Sequence, residues 1–166
     1  MPLIRNGVLA ENIFADAADG QPLPDGPVIV SLKRFLAERD TLLARNAPLG
    51  VRLKSEESPE ALGEDVARLK LIVLEFLKFR DGRAFSWARM LRTRLNYRGE
   101  IRAAGDVLTD QLAFMHRVGI DAFQLPDKIT LEMFRRALDE MSNVYQPSAD
   151  GRKTIRELHL YQSLPR

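Results

Sequence analysis

At 166 residues, 45% hydrophobic and 29% charged, the chain is long enough for one domain with a real core and has an ordinary globular balance. It contains no cysteine, which excludes a disulfide framework, a zinc–thiolate centre, a cysteine nucleophile and a thiolate-held iron–sulfur cluster. A net charge of +2 is far below the excess that nucleic-acid binders usually carry, so nucleic acid is not an expected partner.

The opening segment sets Leu3-Ile4 and Val8-Leu9 around Arg5-Asn6-Gly7, and Asn-Gly between apolar pairs predicts a small β-hairpin. It lacks the apolar core of a signal peptide, and no uncharged apolar run would span a bilayer. The expectation is a cytoplasmic protein with no membrane partner. Asp19-Gly20, Pro22, Pro24 and Asp25-Gly26-Pro27 then predict a loop, so residues 1–26 read as hairpin plus loop. Val28–Leu32 is a short β-branched run that predicts a first buried strand. Phe35, Leu36, Ala37, Leu42 and Leu43 give a helical stripe that ends near Pro48. Leu49–Leu53 predicts a second strand. Ser58-Pro59 followed by Glu60 is a helix start, with Ser58 as N-cap and Leu62, Val66 and Leu69 inward.

Leu71–Leu77 is nearly all apolar and predicts a central strand, with Glu75 as its exception. A third helix is expected from about Arg83 to Tyr97, with Phe85, Ala88, Leu91 (or Met90) and Leu95 inward. Strand four is expected at Glu100–Ala104. Helix four is expected to start with Asp106 as N-cap and to stop at Gly119, with Leu108, Leu112, Met115 and Val118 as its core face. Strand five is expected at Asp121–Leu125. Thr130 caps a fifth helix carrying Phe134, Ala137, Leu138 and Met141. Strands and helices alternate, which implies right-handed βαβ units and a mainly parallel sheet of about five strands, as an open sheet or partial barrel. The whole chain, 1–166, reads as one α/β domain with a terminal tail from 145.

In such a sheet ligands bind beyond the carboxyl ends of the strands. That rule selects two loops. The first holds Lys78, Arg80, Asp81, Gly82, Arg83 and Ser86; the second holds Gly105, Asp106, Asp110 and Gln111. A glycine turn, two guanidinium groups and a helix N-terminus suit a phosphate, sulfate or carboxylate. The same residues equally describe a tight turn in which Asp81 caps the helix and the arginines are solvated. Asp106 and Asp110, four apart, could bind a metal or exchange protons, or simply complement a helix dipole. Arg89, Arg92, Arg94 and Arg98 make the third helix basic, either as a partner surface or as a solvated face. His116 and His159 have no second ligand at metal spacing, and no metal site is expected. Trp87 reads as packing. There is no dinucleotide fingerprint, phosphate-binding loop or nucleophile elbow, so the residues specify no cofactor and no catalytic set.

Phe79-Arg-Asp-Gly-Arg-Ala-Phe-Ser86, Arg89, Leu91-Arg92, Gly99-Glu-Ile-Arg102, Ala104-Gly-Asp-Val107, Asp110-Gln111 and Gly119-Ile-Asp-Ala-Phe123 together resemble a bacterial family labelled as oxidoreductases of sulfite reduction. The opening Pro2-Leu-Ile-Arg-Asn-Gly7 is similar too. Genes of that family tend to lie beside the gene for the sulfite reductase hemoprotein. The resemblance implies a place in assimilatory sulfur metabolism, as an accessory protein docking on sulfite reductase or its electron donor. It supplies no catalytic residue. The alternative is an enzyme or sensor for a small anion (sulfite, sulfate or a phosphorylated metabolite) held by the two loops.

Overall fold

The structure, a computed structural model, describes residues 1–77, 80–140 and 143–162, with the backbone alone from 159 onward. The chain opens with strands β1 (Leu3–Arg5) and β2 (Val8–Ala10) joined by Asn6 and Gly7. Both turn residues have positive φ, 50° and 77°, the backbone twist that Asn-Gly tolerates and a two-residue hairpin requires. A two-residue β3 (Ala15–Asp16) follows. Strand β4 (Val28–Ser31) then gives way at once to helix α1 (Leu32–Ala37), because the Ser31 hydroxyl accepts from the Arg34 N–H at 3.0 Å and starts the helix one residue early.

The expected first helix is two short ones, α1 and α2 (Arg39–Leu43), broken at Glu38. After β5 (Leu49–Leu53), Ser58 caps as expected, but the segment Pro59–Arg68 is 3-10 helix, kinked where Gly63 takes a φ of 56°. Strand β6 (Leu71–Phe76) leads to α3 (Arg83–Thr93), which ends short of Tyr97 because Asn96 turns left-handed at φ 49°. Next come β7 (Glu100–Gly105), a 3-10 turn at Thr109–Gln111, α4 (Leu112–Arg117) and β8 (Ala122–Gln124). Thr130 caps α5 (Leu131–Asp139), its hydroxyl accepting from the Met133 N–H at 3.2 Å. The tail contains α6 (Ile155–Gln162). Lys78, Phe79, Met141 and the side chain of His159 lie outside the described residues.

The α/β class holds, but the sheet is larger and less uniform than about five parallel strands. Eight strands lie in the order β2-β1-β8-β7-β6-β5-β4-β3. From β3 to β8 every pairing is parallel, whereas β1 is antiparallel to both β2 and β8. The hairpin is therefore an edge of the main sheet rather than a separate ornament. From β4 to β8 the strand order follows the chain without reversal. Right-handed crossovers then put all the connecting helices on one face.

A length argument shows that the sheet curls. Strands β2 and β3 sit at opposite edges, yet only residues 11–14 join them. Fully extended, the step from Ala10 to Ala15 covers about 17 Å. Seven strand spacings laid flat cover about 34 Å. The two edges must therefore bend toward each other, making an open, curled sheet with helices outside. The outer face carries Val28, Val30, Val51, Leu53, Ile72, Leu74, Ile101 and Phe123 against Phe35, Leu62, Ala88, Leu91, Met115 and Phe134. The inner face is filled by a second cluster, in which Phe14 from the crossing segment packs with Ile29, Leu71, Val73 and Ala104.

Charged residues also line that inner face. Arg102, 1% exposed, meets Glu100 at 2.7 Å, donates from Nη1 to the Asn12 carbonyl Oδ1 at 2.9 Å and lies 5.9 Å from the centre of the Phe14 ring. Glu100 also pairs with Arg5 at 2.7 Å. Asn12 and Phe14 thus tie the crossing segment to the sheet it spans. Phe14→Ala is expected to cost about 3 kcal/mol in a urea denaturation series, as a large-to-small change over a cavity that the rigid sheet cannot collapse. A loss under about 1 kcal/mol would mean that the segment merely rests on the sheet.

Candidate functional site

The two loops chosen from the sequence do meet, because Phe76 and Gly105 are paired at the ends of β6 and β7. Gly105 takes a φ of 98°, and a Cβ there would stand 2.5 Å from the Phe76 carbonyl oxygen, so only glycine fits. The next N–H, that of Asp106, donates to the same carbonyl at 2.7 Å. Asp106 is exposed and does not cap helix four; Leu108 precedes the helical turn, which starts at Thr109. This corrects the expected N-cap. Asp110 is exposed and Gln111 half-buried beside it.

On the β6 side, Asp81 and Arg83 answer each other. The Asp81 carboxylate accepts from the Arg83 N–H at 3.2 Å, from Nε at 2.9 Å and from Nη2 at 2.7 Å. Hydrogen bonds from the Arg83 side chain hold the Asp81 carboxyl at about 2, against the opposing effect of partial desolvation. Gly82 precedes α3 and offers no cap of its own, so Asp81 supplies the turn. Arg80 is exposed and without a partner among the described residues. No group of three or more His, Asp or Glu is placed to hold a metal among the described residues.

The four arginines that follow, Arg89 and Arg92 on α3 and Arg94 and Arg98 beyond its end, divide by direction. Arg92 points inward. Its Nε donates to the Gly119 carbonyl at 2.9 Å, Nη1 to those of Tyr97 and Gly99 at 2.9 and 2.7 Å, and Nη2 to Asp121 at 2.8 Å. That fork holds the end of α3 to the turns entering β7 and β8. Asp121 also accepts from the Ile101 N–H at 2.8 Å; burial pushes its carboxyl above the ordinary range, and Arg92 pulls the other way. Arg94 meets Glu60 at 3.2 Å, an exposed pair worth at most about 1 kcal/mol. Arg89 and Arg98 are exposed with no side-chain partner among the described residues.

Ser86 and Arg89 turn away from the strand-end loops. With Phe85 they form one wall of a cleft whose other wall is Phe114 and Arg117 of α4 and whose end is residues 146–148. The Phe85 and Phe114 rings stand 5.1 Å apart, tilted by 42°. Arg117 is already engaged, by Asp150 at 3.1 Å and by the Gln146 carbonyl at 2.6 Å. The cleft was missed in the sequence because Phe85 fitted a core stripe and Phe114 fell between inward positions.

A second polar set was also missed. Arg52, at the carboxyl end of β5, pairs with Asp16 of β3 and with Glu75 of β6 at 3.3 Å. The available signal was charge inside otherwise buried strands, at Arg52, Glu75 and Arg102. On the inner face Arg52 is answered by Asp16 and Glu75, and Arg102 by Glu100 and Asn12.

The fold and these sites define an α/β protein with a curled, mixed sheet and an arginine-bearing helix on its outer side. The chain belongs to a bacterial family of proteins of unknown function, DUF934, whose profile matches residues 50–156. No curated protein matches it. The matched stretch contains both loops, α3 and the cleft, and leaves out the hairpin and the crossing segment.

Arg92→Met is expected to destabilise the chain by about 3 kcal/mol in chemical denaturation, because four acceptors lose a charged donor. Arg92→Lys should recover little of it, since one ammonium cannot reach them all. Wild-type stability of Arg92→Met would place this arginine on the outside with Arg89.

Proposed function

We propose that this protein is an accessory factor of assimilatory sulfite reduction that docks on an acidic surface of sulfite reductase or of its electron donor, in the cytoplasm, through the outer side of α3. The observation that carries this reading is the division of labour among the arginines. Arg83 and Arg92 are bound within the chain, whereas Arg89 on α3 and Arg98 in the turn beyond its end project with their charge unanswered among the described residues. Unpaired guanidinium groups on a helix and on the turn that leaves it are suited to steering and registering an acidic partner. The choice of partner rests on the family resemblance carried by residues 79–123.

The small-anion alternative draws less support from this geometry. Arg83 faces Asp81, the Asp106 N–H is given to Phe76, and the exposed carboxylates of Asp106 and Asp110 would repel an anion between the loops.

The purified chain is expected to co-elute with its host's sulfite reductase or that enzyme's electron donor at low salt and to dissociate as salt rises, because rim charges are screened. Arg89→Glu combined with Arg98→Glu should weaken the complex at least about tenfold with an unchanged thermal midpoint. Independent elution from both proteins at low salt, or a complex indifferent to both reversals, would remove this reading.

A further inference from the structure

The cleft between α3 and α4 has features that a purely charged surface lacks. Phe114 is 49% exposed and its ring borders an open concavity. Phe85 is held from behind, its ring edge-on to Phe76 at 5.1 Å and 74°, so it forms a fixed wall. The space between the helices is about 170 Å³, below the range of roughly 300 Å³ upward in which small-molecule and cofactor sites fall. That size suits a single inserted apolar side chain better than a nucleotide or flavin. At its mouth Arg89 has no partner among the described residues, and Ser86 offers an exposed hydroxyl. Arg117, by contrast, is neutralised by Asp150. A carboxylate arriving with the apolar group would therefore meet Arg89.

We propose that this cleft is the anchor point for an acidic peptide segment of the docking partner: one apolar side chain packs into the cleft against the paired Phe85 and Phe114 rings, and a neighbouring carboxylate pairs with Arg89. This rests on the docking reading above and adds what the partner must present. An apolar anchor in a desolvated pocket, ringed by polar contacts, is the usual way a small interface concentrates its affinity. Charge complementarity selects an acidic segment over a second copy of this chain, whose corresponding surface would bring arginine against arginine. The aromatic walls give no purchase to a bare inorganic anion.

The test uses the isotopically labelled full chain and no reductase. Short acidic peptides carrying one phenylalanine or leucine between aspartates are titrated in, followed by amide NMR shifts. Control peptides have glycine in place of the apolar residue. The apolar peptides are expected to give saturable shifts centred on residues 85–89 and 114–118. The glycine controls should bind at least about tenfold more weakly. Phe114→Ser and, separately, Arg89→Gln should each reduce apolar-peptide binding by a similar factor. Both positions are exposed enough for the variants to fold, and the amide spectrum of each confirms it. Equal binding of apolar and glycine peptides would overturn the proposal, since charge alone would then account for it. So would shifts centred elsewhere, no saturable shift with any peptide, or concentration-dependent shifts of the chain alone that place a second copy in the cleft. A failed titration leaves salt-sensitive docking on the reductase standing. A reductase that never co-elutes leaves the titration readable.

Discussion

Residues 11–14 must reach from one edge of an eight-stranded sheet to the other, and a chain that short cannot do so unless the sheet curls. The curl has two consequences. It draws the inner face around Phe14, which fills the space with Ile29, Leu71, Val73 and Ala104. It also brings charged strand residues into contact, so that Glu100 serves both Arg5 and Arg102 while Arg52 serves both Asp16 and Glu75. The interior becomes a packed and internally neutralised layer. Open doubly wound sheets form their ligand crevice where the strand order reverses. Here the order from β4 to β8 never reverses, so that device is missing from this stretch. Attention shifts to the helices outside.

On that outer layer the same residue type serves two purposes. An arginine with every arm of its fork on a backbone carbonyl or carboxylate is a structural clamp, and Arg92 is one. An arginine three residues earlier on the same helix, Arg89, has its backbone in the helix and its guanidinium at the lip of the cleft. Helical geometry makes the difference. Residues at 84, 88, 91 and 92 turn toward the sheet or the β8 turn, whereas 86 and 89 turn toward α4. A basic stretch in sequence is thus only partly a basic surface.

Much of the frame was legible from local signals. A β-branched run marked β4, a nearly all-apolar run marked β6, short segments between helical stripes marked β5, β7 and β8, Asn6-Gly7 marked the hairpin, and Ser58 and Thr130 marked helical starts. What escaped depends on contacts distant in sequence. The hairpin joins the main sheet because β1 pairs with β8, more than a hundred residues away, and nothing local to Leu3–Arg5 announces that. Strand β3 is two residues long and takes its existence from the edge of β4. Asp106 looked like a cap because it follows a strand and precedes a helical stripe, yet the left-handed turn at Gly105 directs the Asp106 N–H to the Phe76 carbonyl, and the helix is delayed to Thr109. The candidate site was legible in part. The two loops adjoin as expected, but the ion pair within one of them and the inward turn of Arg92 required the fold. The Phe85–Phe114 cleft needed the packing of two helices, which periodicity alone does not supply.

The family to which the chain belongs is matched over the segment that holds α3, α4 and both strand-end loops. The central claim is that this segment meets its partner with the outer helices and not with the strand ends. Hydrogen–deuterium exchange of the chain, alone and mixed with its host's sulfite reductase and that enzyme's electron donor in turn, addresses it directly. With one of these, protection is expected along residues 83–98 and 112–118, with the strand ends near Asp16, Arg52 and Glu75 unchanged. Protection confined to those strand ends, or none with either protein, would contradict the claim.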